Sequence, residues 1–301
     1  MQVEHVTSKL GKICNQIRNI FLFDWYDMLR RLANKLQHNV ELPMASTPGK
    51  LRLQYLSDVH VDTRSVNQLP RIQPISEYLL LAGDIGKPTH PHFKIFFQDL
   101  SKQFKKIFYV PGNHDFDCRS LYDQDKVAFY EPLIIDICKQ FPNIHYLNRS
   151  TYALDSNCLI VGATLWSLPL IPNLEYSSYA DKYLDHINKH SQDVMWMEQM
   201  LKQYSDKQII ALTHFVPTFQ LIEPKYRQKG LESTSWYATN LEHLIQKPVS
   251  AWLCGHSHSI LQTRINGVYC GINAYGYPNE ANESNEETKE NIEQAPQFME
   301  I

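Results

Sequence analysis

The spacing of hydrophobic positions changes near residue 50. Before it, residues 13–36 place Ile13, Ile17, Ile20, Phe21, Trp25, Met28, Leu32 and Leu36 three or four apart, with Arg18, Asp24, Arg31 and Lys35 largely between them. That spacing predicts an amphipathic helix within an N-terminal segment of residues 1–40. Its aromatic cluster suits packing on the helix's own domain or a second copy, and after those a partner or a membrane surface. Residues 41–50, with Pro43, Ser46, Thr47, Pro48 and Gly49, read as a linker.

From Leu51 onward short apolar runs alternate with helical stretches. Strands are predicted over 51–56, 77–82, 107–110, about 145–147, 158–165, 208–212 and 250–253. Helices are predicted over 90–104, 121–141, 180–204 and 235–245. A last hairpin turns at Asn266-Gly267, a pair that favours the type I′ turn. Strands alternating with helices make residues 51–278 an α/β domain. Residues 279–301 carry seven Glu and one Lys with few large apolar side chains, a tail expected to stay disordered because it has too little surface to bury.

Composition adds limits. At 301 residues, 43% hydrophobic content and 12% aromatics supply a packed core. A net charge of -3 gives no sign of a nucleic-acid binder. Six cysteines, at 14, 118, 138, 158, 254 and 270, show no Cys-x-x-Cys spacing and read as reduced thiols of a cytoplasmic protein. No signal peptide is expected, nor does any run approach the roughly 20 apolar residues of a membrane span.

The candidate chemistry sits at the ends of the predicted strands. The run Ile107-Phe108-Tyr109-Val110 leads into Pro111-Gly112-Asn113-His114-Asp115, and a buried strand that ends in polar groups delivers them at its carboxyl end. Asp58 and His60 follow the first strand; two residues apart on an extended chain, their side chains would share a face. Asp84 follows Gly83, whose missing side chain permits close approach. Asn113 offers an amide oxygen, His114 an imidazole, and Asp115 a carboxylate able to orient that imidazole. His214, His256 and His258 follow two later strands. Taken singly, each is as readily a hydrogen-bonded core or loop residue. Together they form the mixed nitrogen and oxygen inventory that two divalent ions require.

This ordered set, Asp58-x-His60, Gly83-Asp84, Gly112-Asn113-His114-Asp115, His214 and Gly255-His256-x-His258, resembles the calcineurin-like metallophosphoesterase superfamily over about residues 51–273. The resemblance implies an α/β fold, a four-layer αββα sandwich of two mixed β-sheets. It implies that Asp58, His60 and His258 bind one metal, that Asp84 bridges, and that Asn113, His214 and His256 bind the second. His114 matches the histidine that contacts substrate, with Asp115 as its expected partner. The implied enzyme is a metal-dependent phosphoric ester hydrolase. It would act on a small phosphomonoester, phosphodiester or nucleotide through two divalent metal ions (Mn, Fe, Zn or similar) about 3.5 to 4 Å apart and a bridging hydroxide.

Two departures narrow the substrate. Gly83-Asp84 continues as Ile85-Gly86-Lys87-Pro88, without the arginine of the protein serine/threonine phosphatases, which disfavours a protein phosphatase. A DNA-repair nuclease of the same fold is disfavoured by the lack of a basic patch beside the motifs. A metal-free interaction scaffold would show erosion at His114 or a ligand position, and none is eroded. Arg64, Lys87, Arg119 and Tyr122 lie near the motifs as candidate phosphate contacts. Asp62 reads as a supporting residue, and His90 and His92 as solvated positions at a helix start.

Overall fold

A computed structural model describes residues 51–171, 180–278 and 280, together with the backbone of 298–300. The predicted N-terminal helix, the linker and most of the acidic tail lie outside the described residues. The chain runs β1 (Arg52–Leu56), β2 (Tyr78–Ala82), α1 (Pro91–Gln103), β3 (Lys106–Val110), α2 (Lys126–Cys138), β4 (Ile144–Tyr146), β5 (Ser150–Ala153) and β6 (Cys158–Ala163). It continues through α3 (Ala180–Gln203), β7 (Gln208–Thr213), α4 (Pro224–Arg227), α5 (Leu231–Thr234), β8 (Val249–Cys254), β9 (Ile260–Ile265), β10 (Val268–Asn273) and β11 (Phe298–Glu300).

The strands form two mixed sheets, in the orders β11-β1-β2-β3-β4 and β5-β6-β7-β8-β10-β9. Strands β1 to β4 are parallel, as are β6, β7, β8 and β10, with antiparallel strands only at the edges. The sheets stack because successive side chains on a strand point to opposite faces and both faces are apolar here. In β2, Leu80 and Ala82 join the core between the sheets, while Leu79 and Leu81 face the helices. Ile210 and Leu212 of β7 face inward and Ile209 and Ala211 outward.

Phe93, Phe96, Phe97 and Leu100 of α1, with Tyr130 and Ile134 of α2, cover the first sheet. Met197 and Leu201 of α3 cover the second. The layers are therefore helix, sheet, sheet, helix. Helix α1 starts where it does because Pro91 stands in its first turn and His90 caps it, Nδ1 accepting the His92 N–H at 3.3 Å. The five described cysteines are buried free thiols. Among the described residues, no helix is long and apolar enough to cross a membrane.

Three elements differ from the sequence pattern. The helix expected over 235–245 is absent, because that backbone bonds to the loop after β7: Val216 N–H donates to Tyr237 O, Thr239 N–H to Val216 O and Leu241 N–H to Pro217 O. Only the single 3-10 turn Glu242–Leu244 remains. The short β5, which alternation did not reveal, pairs along β6. In the tail, Phe298–Glu300 pairs with β1, whose edge would otherwise offer unpaired N–H and C=O groups.

Candidate metal centre

Parallel strands point their carboxyl ends the same way, so the loops after β1, β2, β3, β7 and β8 collect at one edge of the sandwich. Beyond the strands the first two loops stay bonded: Asp58 N–H donates to Gly83 O at 2.9 Å, His60 N–H to Asp84 O at 3.0 Å and Val61 N–H to Ile85 O at 2.8 Å. Asp58 and His60 do not converge through strand alternation. β1 has ended at Leu56, and both residues lie in the left-handed region, with φ of 54° and 47°. Asp84, His256 and His258 share this conformation, at 54°, 66° and 51°. Outside glycine it costs on the order of 1–3 kcal/mol each and gathers at functional sites.

The side chains meet around two points. At the first, His60 Nε2 lies 3.0 Å from His258 Nε2, and Asp58 Oδ1 lies 3.6 Å from His258 Nε2. At the second, His214 Nε2 lies 3.1 Å from Asn113 Oδ1, 3.2 Å from His256 Nδ1 and 3.4 Å from Asp84 Oδ2. Asp84 Oδ2 is also 4.0 Å from His60 Nε2, which places it between the two groups. Among the described residues, three clusters have their ligand atoms within 4.8 Å of one another: Asp58, His60 and His258; Asp84, His214 and His256; and His60, Asp84 and His114.

The donor chemistry fits divalent cations. Bare imidazole nitrogens aimed at one another beside buried carboxylates lack enough protons to satisfy each other, and a cation satisfies them all. Supporting bonds fix their direction. His214 Nδ1–H donates to Ala82 O at 2.9 Å, aiming Nε2 at the site, and Asn113 Nδ2 donates to Cys118 O at 3.0 Å, turning Oδ1 to the site. Asp58 accepts from Ser57 Oγ at 2.5 Å and from the His256 N–H at 3.0 Å.

The protonation pattern follows from burial and charge. Burial pushes the Asp58 carboxyl up, against His258 and His214, and Asp84 adds to the rise. Burial acts upward on Asp84 too, but the neighbouring His214 and His114 imidazoles hold it well below the usual carboxylate range. Burial pulls His60 down to about 3 and His256 well below the ordinary imidazole value. Burial also opposes charge on His214, yet Asp84 raises it to about 9.

His114 stands at the rim, lining a cavity of about 310 Å³ with Asp84, Tyr237, His256, His258 and Tyr277. Asp115 takes a different place from the one expected. Its carboxylate turns into the protein and accepts three backbone N–H groups, of Gly112 at 2.7 Å, Gly86 at 2.8 Å and Asp84 at 2.9 Å. The side chain beside His114 Nε2 is Tyr277, its hydroxyl 3.4 Å away.

Two of the four candidate phosphate contacts have structural roles. Lys87 pairs with Asp117 at 3.1 Å, and Arg64 donates to Val59 O at 2.8 Å and to Gly276 O. Arg119 lines a second cavity that His114 also borders, while Tyr122 lies farther out. Among the described residues, Asp62 joins no metal-capable cluster. Sequence reasoning missed Tyr277 and Glu280. Both follow β10, so the strand-end rule extended to that strand points to them.

Known proteins resemble this chain in sequence and in fold. A profile of calcineurin-like phosphoesterases matches residues 52–259. A protein of Acanthamoeba polyphaga mimivirus is 30% identical over 271 residues, covering 77% of this chain and 94% of the relative. Among solved structures, phosphopantetheinyl hydrolase from Mycobacterium tuberculosis aligns with a TM-score of 0.55 at 17% identity, over 84% of this chain and 96% of that one. A Thermus thermophilus protein aligns with a TM-score of 0.47 at 14% identity, over 74% and 88%. The likeness to the Mycobacterium tuberculosis protein is one of fold.

Proposed function

Since the chain belongs to the calcineurin-like phosphoesterase family, whose members are metal-dependent phosphoric ester hydrolases, we propose that it cleaves a phosphodiester, phosphomonoester or nucleotide at a dinuclear centre. One observation carries the two-cation reading: Asp84 Oδ2 lies 4.0 Å from His60 Nε2 and 3.4 Å from His214 Nε2, between two groups of donors. Asp58, His60 and His258 would hold one divalent ion, and Asn113, His214 and His256 the other, with Asp84 shared. Manganese, iron and zinc all accept such shells. When bound, the pair supplies positive charge for the phosphoryl oxygens and makes water acidic enough to serve as nucleophile near neutral pH.

The chain's own residues do the rest. His114 borders the cavity beside Asp84 and His256, where its imidazole donates a proton to the departing ester oxygen, a step worth roughly 10²- to 10⁴-fold. Asp115 holds the loops of Asp84 and Gly112 together, and so holds Asp84 and the His114 backbone in register. The histidine-rich set, resembling that of the family's cyclic-nucleotide phosphodiesterases, favours a diester or nucleotide over a simple monoester.

The test is hydrolysis of bis-p-nitrophenyl phosphate against p-nitrophenyl phosphate by the full chain with added manganese, alongside His114→Ala. We expect turnover of the diester, with kcat lowered at least 100-fold in the variant. Inactivity of the intact chain on both substrates, or full activity of the variant, overturns the reading.

A further inference from the structure

The expected motifs end at His258 and the family match at residue 259, yet the centre has one more wall. After β10, residues 274–278 and Glu280 lie against Asp58, His60 and His258. They are tied to the β1 loop: Tyr275 N–H donates to Ser57 O and Gly276 N–H to Asp58 O, both at 2.9 Å, and the Arg64 guanidinium reaches Gly276 O. The Tyr277 ring stacks on His60, with centroids 4.1 Å apart and planes at 24°. Glu280 then turns back onto His258. Its Oε2 and Oε1 lie 2.7 and 3.0 Å from Nδ1, and Oε2 also accepts the Tyr277 N–H at 2.7 Å.

From this geometry we propose that Glu280 is a positioning residue for the first cation, fixing His258 so that its Nε2 faces Asp58 and His60 as a bare donor. The inference rests on the metal reading of the same site. A neutral imidazole carries one proton, and a carboxylate against Nδ1 keeps it there. Nε2 is then left with a free lone pair, 3.0 Å from His60 Nε2 and 3.6 Å from Asp58 Oδ1. His214 is held in the same sense by the Ala82 carbonyl. At His258 the acceptor is charged, which also makes the ligating nitrogen more basic.

Two features make the role testable. The Glu280 side chain is 44% exposed, so its pairing with His258 adds little to folding, and its removal leaves the domain intact. Gly276 gives an independent route to the same carboxylate. At φ +74° it sits where a Cβ would come within 2.6 Å of Glu280 Oε2, so Gly276→Ala displaces that oxygen, with added strain in a backbone bonded to Asp58 O.

The experiment titrates Mn²⁺ alone into the metal-free full chain by calorimetry, for wild type, Glu280→Gln, Glu280→Ala and Gly276→Ala. Side-chain ¹⁵N spectra at alkaline pH, where the ring is neutral, report the His258 tautomer. We expect Glu280→Ala to weaken one of two binding events by about 10- to 100-fold and the other by less than about threefold. The His258 Nδ1–H signal should be lost with it. Glu280→Gln, which keeps an acceptor oxygen, should fall between, and Gly276→Ala should match Glu280→Ala. Wild-type affinity at both sites in Glu280→Ala, or a wild-type His258 protonated on Nε2, overturns the proposal. Absence of any Mn²⁺ uptake by wild type overturns the metal reading itself. Since no substrate is used, a failed hydrolysis assay is a separate result.

Discussion

Asp115 Oδ2 accepts the backbone N–H of Asp84 at 2.9 Å, which makes the carboxylate next to His114 in sequence a brace for a different loop. With Gly86 and Gly112 it satisfies three backbone donors while fully buried itself. Asp115→Ala leaves those donors without partners, at about 1–3 kcal/mol apiece. The variant should lose at least about 3 kcal/mol in urea unfolding. A variant as stable as wild type, with only its pH–rate profile altered, would restore Asp115 to the role of partner to His114.

Gly112 should tolerate no side chain. A Cβ there would fall 2.1 Å from Asp84 Oδ1 and 2.7 Å from His214 Cε1, displacing two residues of the proposed centre together. Gly112→Ala should retain less than about a tenth of the wild-type bound metal by elemental analysis, whether or not stability also falls. Normal metal content would show that these loops can part without harm.

Lys87 lies close enough to Gly83-Asp84 in sequence to be a candidate phosphate contact, but its ammonium pairs with Asp117 at 3.1 Å and lies 5.6 Å from the Tyr130 ring centroid. Lys87→Ala should leave KM for the diester within about threefold of wild type. A tenfold rise would place the lysine on the substrate after all.

His186 gives stability a pH dependence outside the metal centre. It is buried on α3 with Nε2–H donating to Ser167 O at 3.0 Å, and burial lowers its pKa from 6.5 to about 4. Between those values the unfolded chain binds more protons than the folded one. The contribution is therefore fully present above about pH 6.5 and lost as pH falls toward 4. At 1.36 kcal/mol per pKa unit, the loss is on the order of 3 kcal/mol. Denaturation across that range should show the slope, and His186→Gln should flatten it; an unchanged slope in the variant would assign it to other groups.

Chelation should act on stability as well as activity. Ligands that bind only the folded state add about 2.7 kcal/mol at 100 times their Kd, and removing them returns Asp58 and Asp84 to mutual repulsion inside the protein. Treatment with a chelator should lower Tm and abolish hydrolysis, and added Mn²⁺ should restore both. An unchanged Tm would mean that the centre folds without its cations.

The sequence by itself determined the α/β domain and the ligand-type residues, because both are written locally. Apolar runs such as 79–82 and 209–212 have the length and composition of strands buried on both faces, and residues such as Asp84 and His214 stand directly at their ends. The missing helix after Ser235 and the left-handed backbones of Asp58 and His60 were decided by partners far away in the chain, at Val216, Gly83 and Asp84. The same holds for Asp115, whose neighbour in sequence is His114 but two of whose hydrogen-bond donors lie about thirty residues away, on Asp84 and Gly86. Glu280 meets His258 only because β10 lies beside β8. Local pattern records what one segment can do, whereas hydrogen-bond partners are chosen by which loops the two stacked sheets bring to one edge.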